Sequence, residues 1–476
     1  MPQAGRLRRR PTWQMLKWAN RGRPELPPEL KLTDVRTAVE LAFSDIRREL
    51  EKLVRIPSVS ATGFDAARVR ESAEATAEWL ESSGLQGVRL LEIDGANPAV
   101  FGATPGPPGS PTVLLYAHHD VQPPGPERLW TSPAFEPTER DGRLFGRGTA
   151  DDKAGIAVHA AALRAWEGKP PVGVAVFIEG EEEIASEHLP QFLHEYGNLL
   201  RADAIVLADC SNWTVGQPAL TTSLRGIVDL LVEVRTLDHA VHSGRYGGPV
   251  PDALTALSRL IATLHNRRGG VAVRGLRTGP ARALPMPESD LRRFTGLRPT
   301  VRLLGRGSLT HRLWTRPAIA VLGIDAPSTE GAAHKLVPVA TAKISVRLAP
   351  GDDPQRAFQA VKKHLLRRRP WGAEVEVSPC REGKPHRIDA SGQIFEAFRR
   401  ACTDTWGRSP VEPGSGGSLP LVSELAKAYP DMAQLLTGVE DPESNAHSEN
   451  ESVHLGELRN CCISEAMLLG HLAARA

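Results

Sequence analysis

Between Thr33 and Leu53 the apolar residues Val35, Val39, Ala42, Phe43, Ile46, Leu50 and Leu53 recur at three- and four-residue spacing. That period predicts an amphipathic helix, capped at Thr33–Asp34 and stopped by Pro57. A second helix is expected around Ala66 to Ser83, closed by Gly84. From there to about residue 210, short apolar runs alternate with loops and helical stretches, which predicts an α/β sheet domain. The runs Val113–Tyr116, Val172–Ile178 and Ala204–Ala208 are almost continuously apolar, as strands are when both faces of a sheet are covered.

Farther along, Ile227–Val234 reads as a strand and Asp252–His265 as an amphipathic helix. Ile319–Ile324 and Ala340–Leu348 follow as strands, Pro354–Leu366 as a helix and Ala373–Val377 as a strand. This β-α-β-β-α-β order is the ferredoxin-like plan. A long Arg- and Pro-rich connection, from roughly Gly269 to Pro317, interrupts it. After about Arg381 come an amphipathic helix (Ile394 to Thr403), a Gly-rich loop and a terminal helix. The fold class is therefore α/β: a discontinuous domain into which a small α+β domain is inserted.

With 476 residues the chain exceeds what one hydrophobic core usually serves, in keeping with two domains. Its 58 basic and 56 acidic residues leave a net charge of +2, which gives no reason to expect a nucleic-acid or membrane partner. No apolar run approaches the ~20 residues of a membrane span. The N-terminus is basic (Arg6 to Arg10) and proline-rich, without a hydrophobic signal core, and reads as a solvated tail. Five cysteines (Cys210, Cys380, Cys402, Cys461 and Cys462) form no CxxC pair and are odd in number. Free thiols in a reducing compartment follow, so the expected location is cytoplasmic.

The apolar strands run into metal-ligand residues. Val113–Tyr116 leads to His118, His119 and Asp120; Val172–Ile178 leads to Glu179, Glu181, Glu182 and Glu183; Ile205–Ala208 leads to Asp209. In open α/β sheets ligands bind beyond the carboxyl ends of strands. A glycine-containing turn, Gly146 to Lys153, presents Asp151 before a helix of small residues, and a polar loop near the C-terminus carries His447. Each piece has a plain structural alternative: a triple-Glu run is usually a solvated face, and paired Asp at a helix start is usually a cap. Acids and a histidine that repeatedly follow buried strands argue against coincidence. An imidazole and carboxylate set without thiolates suits a catalytic zinc pair, or related divalent metals.

Six segments carry a family resemblance in order: Leu50–Ser60 (LEKLVRIPSVS), Tyr116–Pro123 (YAHHDVQP), Gly146–Lys153 (GRGTADDK), Glu179–Glu183 (EGEEE), His242–Gly244 (HSG) and Ala446–Asn450 (AHSEN). The chain resembles the dizinc metallopeptidase family of carnosinase, cytosolic nonspecific dipeptidase, aminoacylase and glutamate carboxypeptidase. Trp314–Pro317 (WTRP) and Gly416–Pro420 (GGSLP) place it closest to the dipeptidase branch. The resemblance implies two Zn2+ per subunit, with Mn2+ or Co2+ as substitutes. His118 and Asp209 would hold one, Glu183 and His447 the other, and Asp151 would bridge both. It further implies Glu182 as general base and Asp120 as the carboxylate that orients His118. Asp152 and Lys153 are expected to shape the turn, and His119 is not expected to be a ligand.

For the inserted domain the resemblance implies a lid that also forms a homodimer. His242 would reach the partner's active site and polarise the scissile carbonyl, and Arg347 would bind the substrate carboxylate. Backbone donors would come from Gly416, Gly417 and Ser418. The implied layout is an N-terminal extension (1–33), catalytic domain in two parts (34–218 and 383–476), and the lid and dimerisation domain (219–382). Two positions depart from the family: Gly414-Ser415 stands where carnosinase-like enzymes carry Arg-Glu, and His334-Lys335 where relatives often carry Asn or Lys. The expected function is metal-dependent cleavage of the amide bond of dipeptides or short peptide-like substrates. The alternatives are an N-acyl amino acid deacylase with the same metal site, and an inactive relative that binds peptides.

Overall fold

The computed structural model describes residues 32–280, 284–417 and 420–473. Most of the sequence assigned to the N-terminal extension, and Ser418, lie outside them. The first predicted helix spans Leu32–Val54, so Thr33 falls in its first turn, and its buried face carries Val35, Val39, Ile46, Leu50 and Leu53. The second spans Ala66–Ser82, with Asp65 accepting from the backbone N–H of Ala67. It ends where Gly84 takes φ +96, and a side chain there would run into the backbone of Gly168.

Six strands form one sheet in the order Arg89–Leu91, Ala99–Thr104, Gly173–Glu179, Thr112–His118, Ala204–Leu207 and Ala433–Leu436. The last four are parallel, and the first two add antiparallel pairs at one edge. Alternate residues serve opposite faces. Val113, Leu115, Val174, Val176 and Val206 pack with the helices Leu32–Val54, Lys153–Ala165, Gln393–Trp406 and Leu455–Ala473. Leu114, Tyr116, Phe177, Ile205 and Leu207 pack with Leu189–Tyr196 and Pro420–Ala428. Both faces are covered, which is why these strands carry no polar alternation. The strand Ala433–Leu436 was not foreseen: four residues beside a Gly-rich loop give periodicity little to register.

A second sheet of four antiparallel strands has the order Ala318–Asp325, Val339–Leu348, Gly226–Arg235 and Glu374–Gly383. The helices Ala253–Ala262 and Pro354–Leu366 bury Leu257, Leu260, Phe358, Val361 and Leu365 against it. The expected Gly269–Pro317 connection holds two short helices, Glu288–Thr295 and Leu309–Trp314. The second is capped by the Ser308 side chain, and the first stops at Gly296 in the left-handed region. At eight and six residues they are too short for an apolar period to rise above the Arg and Pro background.

Candidate active site

Four parallel strands point their carboxyl ends at one place. His118 is the last residue of Thr112–His118, and Glu182 and Glu183 open a helical turn just beyond Gly173–Glu179. Asp209 follows Ala204–Leu207, and Glu440 follows Ala433–Leu436. Asp151 arrives from the side, at the start of the helix Lys153–Ala165. The ligand atoms of His118, Asp151 and Glu183 lie within 4.8 Å of one another, as do those of His118, Glu182 and Asp209. The Asp151 carboxylate is shared: Oδ1 is 3.0 Å from His118 Nε2, and Oδ2 is 2.9 Å from His447 Nε2. His447, exposed on the solvent side, is also 3.2 Å from Glu183 Oε2.

Each of these groups is held from behind. The buried Glu451 carboxylate accepts from the backbone N–H of Gly148 (3.1 Å), Ala150 (2.9 Å) and Asp151 (3.1 Å), and pairs with Arg147 at 2.6 Å. It thereby fixes the turn that presents Asp151. Gly148 takes φ +83 in that turn, and a Cβ there would lie 2.7 Å from Val121. Asp152 caps the helix through the N–H of Gly155, and the Lys153 ammonium donates to the carbonyls of Leu53 (2.7 Å) and Ile56 (2.8 Å). Asp120 accepts from Ser60 Oγ and from the N–H groups of Glu182 and Glu183. His118 Nδ1 lies 3.0 Å from the Asp120 carbonyl and 3.4 Å from its carboxylate, so Asp120 orients the ring through both. Gln122 donates to Glu183 from its backbone and side chain. His119 faces Pro98, donating to its carbonyl at 2.9 Å, and is not part of the cluster.

The electrostatics of this centre call for cations. Burial, reinforced by the neighbouring carboxylates, pushes Glu182 up to about 8. Burial likewise drives Asp209 and Asp152 well above the usual carboxylate range, and Glu440 up to about 8. Hydrogen bonds to Asp151 and Glu183 raise His447 to about 11. Burial opposes the charged form of His118, but its bonds to Asp120 and Asp151 outweigh that and raise it well above the ordinary value. So many carboxylates around His118 and His447 are costly to ionise without added positive charge. Oxygen and imidazole donors with no thiolate, arranged on both sides of one carboxylate, fit a pair of borderline or hard divalent ions.

The cluster opens into a cavity of about 860 Å³. Arg347, Gly416 and Gly417 line it, whereas His242 is exposed and is not among its lining residues. The walls include residues that motif reading missed: Glu440, Met286, Arg381, and Trp213 packed edge-to-face on Trp314 at 5.7 Å. Glu440 accepts from Ser211 Oγ at 2.7 Å. Recognising the strand Ala433–Leu436 would have flagged it, as the first acid beyond a parallel strand. Glu451 was legible only as one more acid after the AHSEN segment.

The sequence model of the peptidase family M20/M25/M40 matches residues 114–469. The chain belongs to this family. The peptidase is 34% identical over 431 residues to a cysteinylglycine-S-conjugate dipeptidase of Corynebacterium striatum, covering 89% of this chain and 94% of that one. It is 28% identical over 385 residues to the β-Ala-His dipeptidase of Rattus norvegicus, covering 75% and 76%. Two solved structures share its fold with a TM-score of 0.79 at 22% identity. The dipeptidase Dug1p of Saccharomyces cerevisiae matches 93% of this chain and 99% of its own, and human carnosine dipeptidase 1 matches 94% and 100%.

Proposed function

We propose that this M20 peptidase is a dizinc dipeptidase, a homodimer of the cytoplasm, acting on small peptides with a free carboxylate. The observation that carries the reading is the shared Asp151 carboxylate, one oxygen toward His118 and the other toward His447, at the floor of a cavity sized for a small substrate. His118 and Asp209 would hold one Zn2+, Glu183 and His447 the other, and Asp151 both. Cations bound there supply Lewis acidity, lowering the pKa of the attacking water and neutralising charge on the carbonyl oxygen. Glu182, held by its N–H on Asp120, takes the proton from that water and returns it to the departing amine. Arg347 binds the carboxylate, with backbone donors from Gly416 and Gly417 beside it. Ser418, expected to add another, lies outside the described residues. Dipeptide cleavage is favoured because the similar C. striatum and rat proteins are dipeptidases.

The second sheet, with its β-α-β-β-α-β order, serves in this reading as an inserted ferredoxin-like lid and dimerisation domain. Its edge strand Ala318–Asp325 exposes Val321, Leu322 and Ile324, an apolar edge suited to pairing with a second copy. His242, exposed and absent from the lining of its own chain's cavity, would polarise the carbonyl in the partner's site. All five cysteines are free, in keeping with the reducing compartment proposed. Among the described residues, no helix is long and apolar enough to cross a membrane.

A hydrolysis screen of zinc- or manganese-loaded protein tests the function, with dipeptides that include cysteinylglycine and β-Ala-His set against N-acyl amino acids. Turnover of dipeptides is the expected result, and turnover of N-acyl amino acids alone would replace this reading with a deacylase. Mixing a His242→Ala chain with a Glu182→Gln chain tests the shared site. Recovery of roughly a quarter of normal activity is expected after exchange, since about half the dimers then hold one complete site. No recovery despite proven exchange would place His242 outside the partner's site.

A further inference from the structure

Arg225 joins the short strand Ser223–Leu224 to Gly226–Arg235 and is 6% exposed. Its backbone N–H donates to Ser415 at 3.2 Å, and its Nη1 donates to the Leu313 carbonyl. Among the described residues Nε and Nη2 have no hydrogen-bond partner and no carboxylate pairs with the group. A buried guanidinium is normally paired, because an uncompensated charge is costly to hold away from water. Its charged neighbour here is another cation. Burial first, and then Arg347, lower its pKa to about 10. Arg347 in turn is flanked by Asp229 and by Arg381, so the local balance favours positive charge.

The cavity wall passes over this guanidinium at Gly416, where a Cβ would lie 4.0 Å from Arg225 Nη1. Lacking a side chain, Gly416 leaves Arg225 close behind the surface on which Arg347 opens. We propose that Arg225 is a specificity-determining positioning residue: with Arg347 it makes the arginine-lined wall of the cavity a receptor for the substrate's free carboxylate. It acts through Arg347 and the Gly416 backbone, adding positive potential that favours an anionic over a neutral C-terminal group. This rests on the dipeptidase reading for the identity of the substrate, but the demand for an anion follows from the arginines themselves.

The test reads binding with turnover blocked by Glu182→Gln, comparing cysteinylglycine with cysteinylglycinamide by calorimetry. With Arg225 present the carboxylate should bind roughly 10- to 100-fold more tightly than the amide, the range for a hydrogen bond to a charged group. Arg225→Met in the same background should lower that ratio by roughly three- to tenfold, Arg347 still binding the carboxylate, and leave the amide's Kd unchanged, and Arg225→Lys should fall between. In chains that retain Glu182, KM should rise with kcat little altered. Equal weakening of both ligands, an unchanged ratio, or no carboxylate preference with Arg225 present would overturn the proposal. If the Met chain does not fold, the Lys chain decides by the same criterion. If the enzyme proves to be a deacylase, N-acetylglycine and N-acetylglycinamide take the place of the two ligands. That result would correct the substrate while still deciding the role of Arg225.

Discussion

In one part of the cavity Glu182, Glu183 and Asp209, beyond the ends of parallel strands, and Asp151, at a helix start, crowd around His118; its lining also includes Arg347 and Arg381 from the second sheet, with Arg225 close behind Gly416. The acidic end is tied down group by group, by Glu451 under Asp151, Asp120 under Glu182 and Glu183, and Gln122 beside Glu183. Among the described residues the arginine end has unpaired nitrogens on Arg225 and an unpaired oxygen on Asp229. The acidic end is pre-built to hold cations in a fixed geometry, as chemistry at a metal pair requires. The arginine end instead carries positive charge on Arg225 that no carboxylate offsets among the described residues, which in the proposed reading favours an anionic substrate. In the proposed reading a peptide's carboxylate would be drawn to the arginines while its scissile amide lies toward the metal ligands.

Changing one group at each end should break the comparison in different ways. Glu182→Gln should leave metal content and fold intact and lower kcat by roughly 10²- to 10⁴-fold, the usual contribution of a positioned acid–base group. Near-normal turnover with verified metal would remove Glu182 from its role. Arg347→Met should raise KM for a dipeptide by roughly 10- to 100-fold and change kcat far less. Steady-state kinetics showing a kcat loss instead would mean that Arg347 stabilises the reacting centre.

A smaller effect concerns stability. In metal-free protein Glu182 lies at about 8 against an ordinary 4.5, and His447 at about 11 against 6.5. The folded state therefore keeps protons that the unfolded chain gives up. Their contribution to stability is complete below the ordinary values and is lost as pH rises, through about 8 for Glu182 and about 11 for His447. The melting temperature of metal-free protein should fall by a few degrees from about pH 5 to about pH 8. The stabilisation gained on adding Zn2+ should grow over the same range, because binding displaces those protons. A metal-free melting temperature that rises over this range would contradict the assigned environment.

The two ends also differ in how far the sequence reveals them. The acidic end was legible because His118, Glu183 and Asp209 each follow an apolar run whose two buried faces erase polar alternation, while Asp151 and His447 stood out only through the resemblance. Thr112–His118 and Gly173–Glu179 depart from the expected strands by only one or two residues at their ends. The resemblance then supplied the roles. The arginine end was legible only at Arg347. Arg225 lies at a strand junction, and Trp213, Met286 and Arg381 come from segments far apart in the chain whose convergence no local pattern records. Glu451 was likewise invisible, since its importance lies in the three backbone N–H groups it gathers from some 300 residues away.

The central claim is the cation pair divided by Asp151, and anomalous diffraction from crystals grown with Zn2+ tests it most directly. Two peaks roughly 3.5–4 Å apart are predicted, as in two-metal hydrolytic sites. One should lie beside His118 and Asp209, the other beside Glu183 and His447, with Asp151 contacting both. A single peak at full Zn2+ loading, or peaks away from Asp151, would contradict the account.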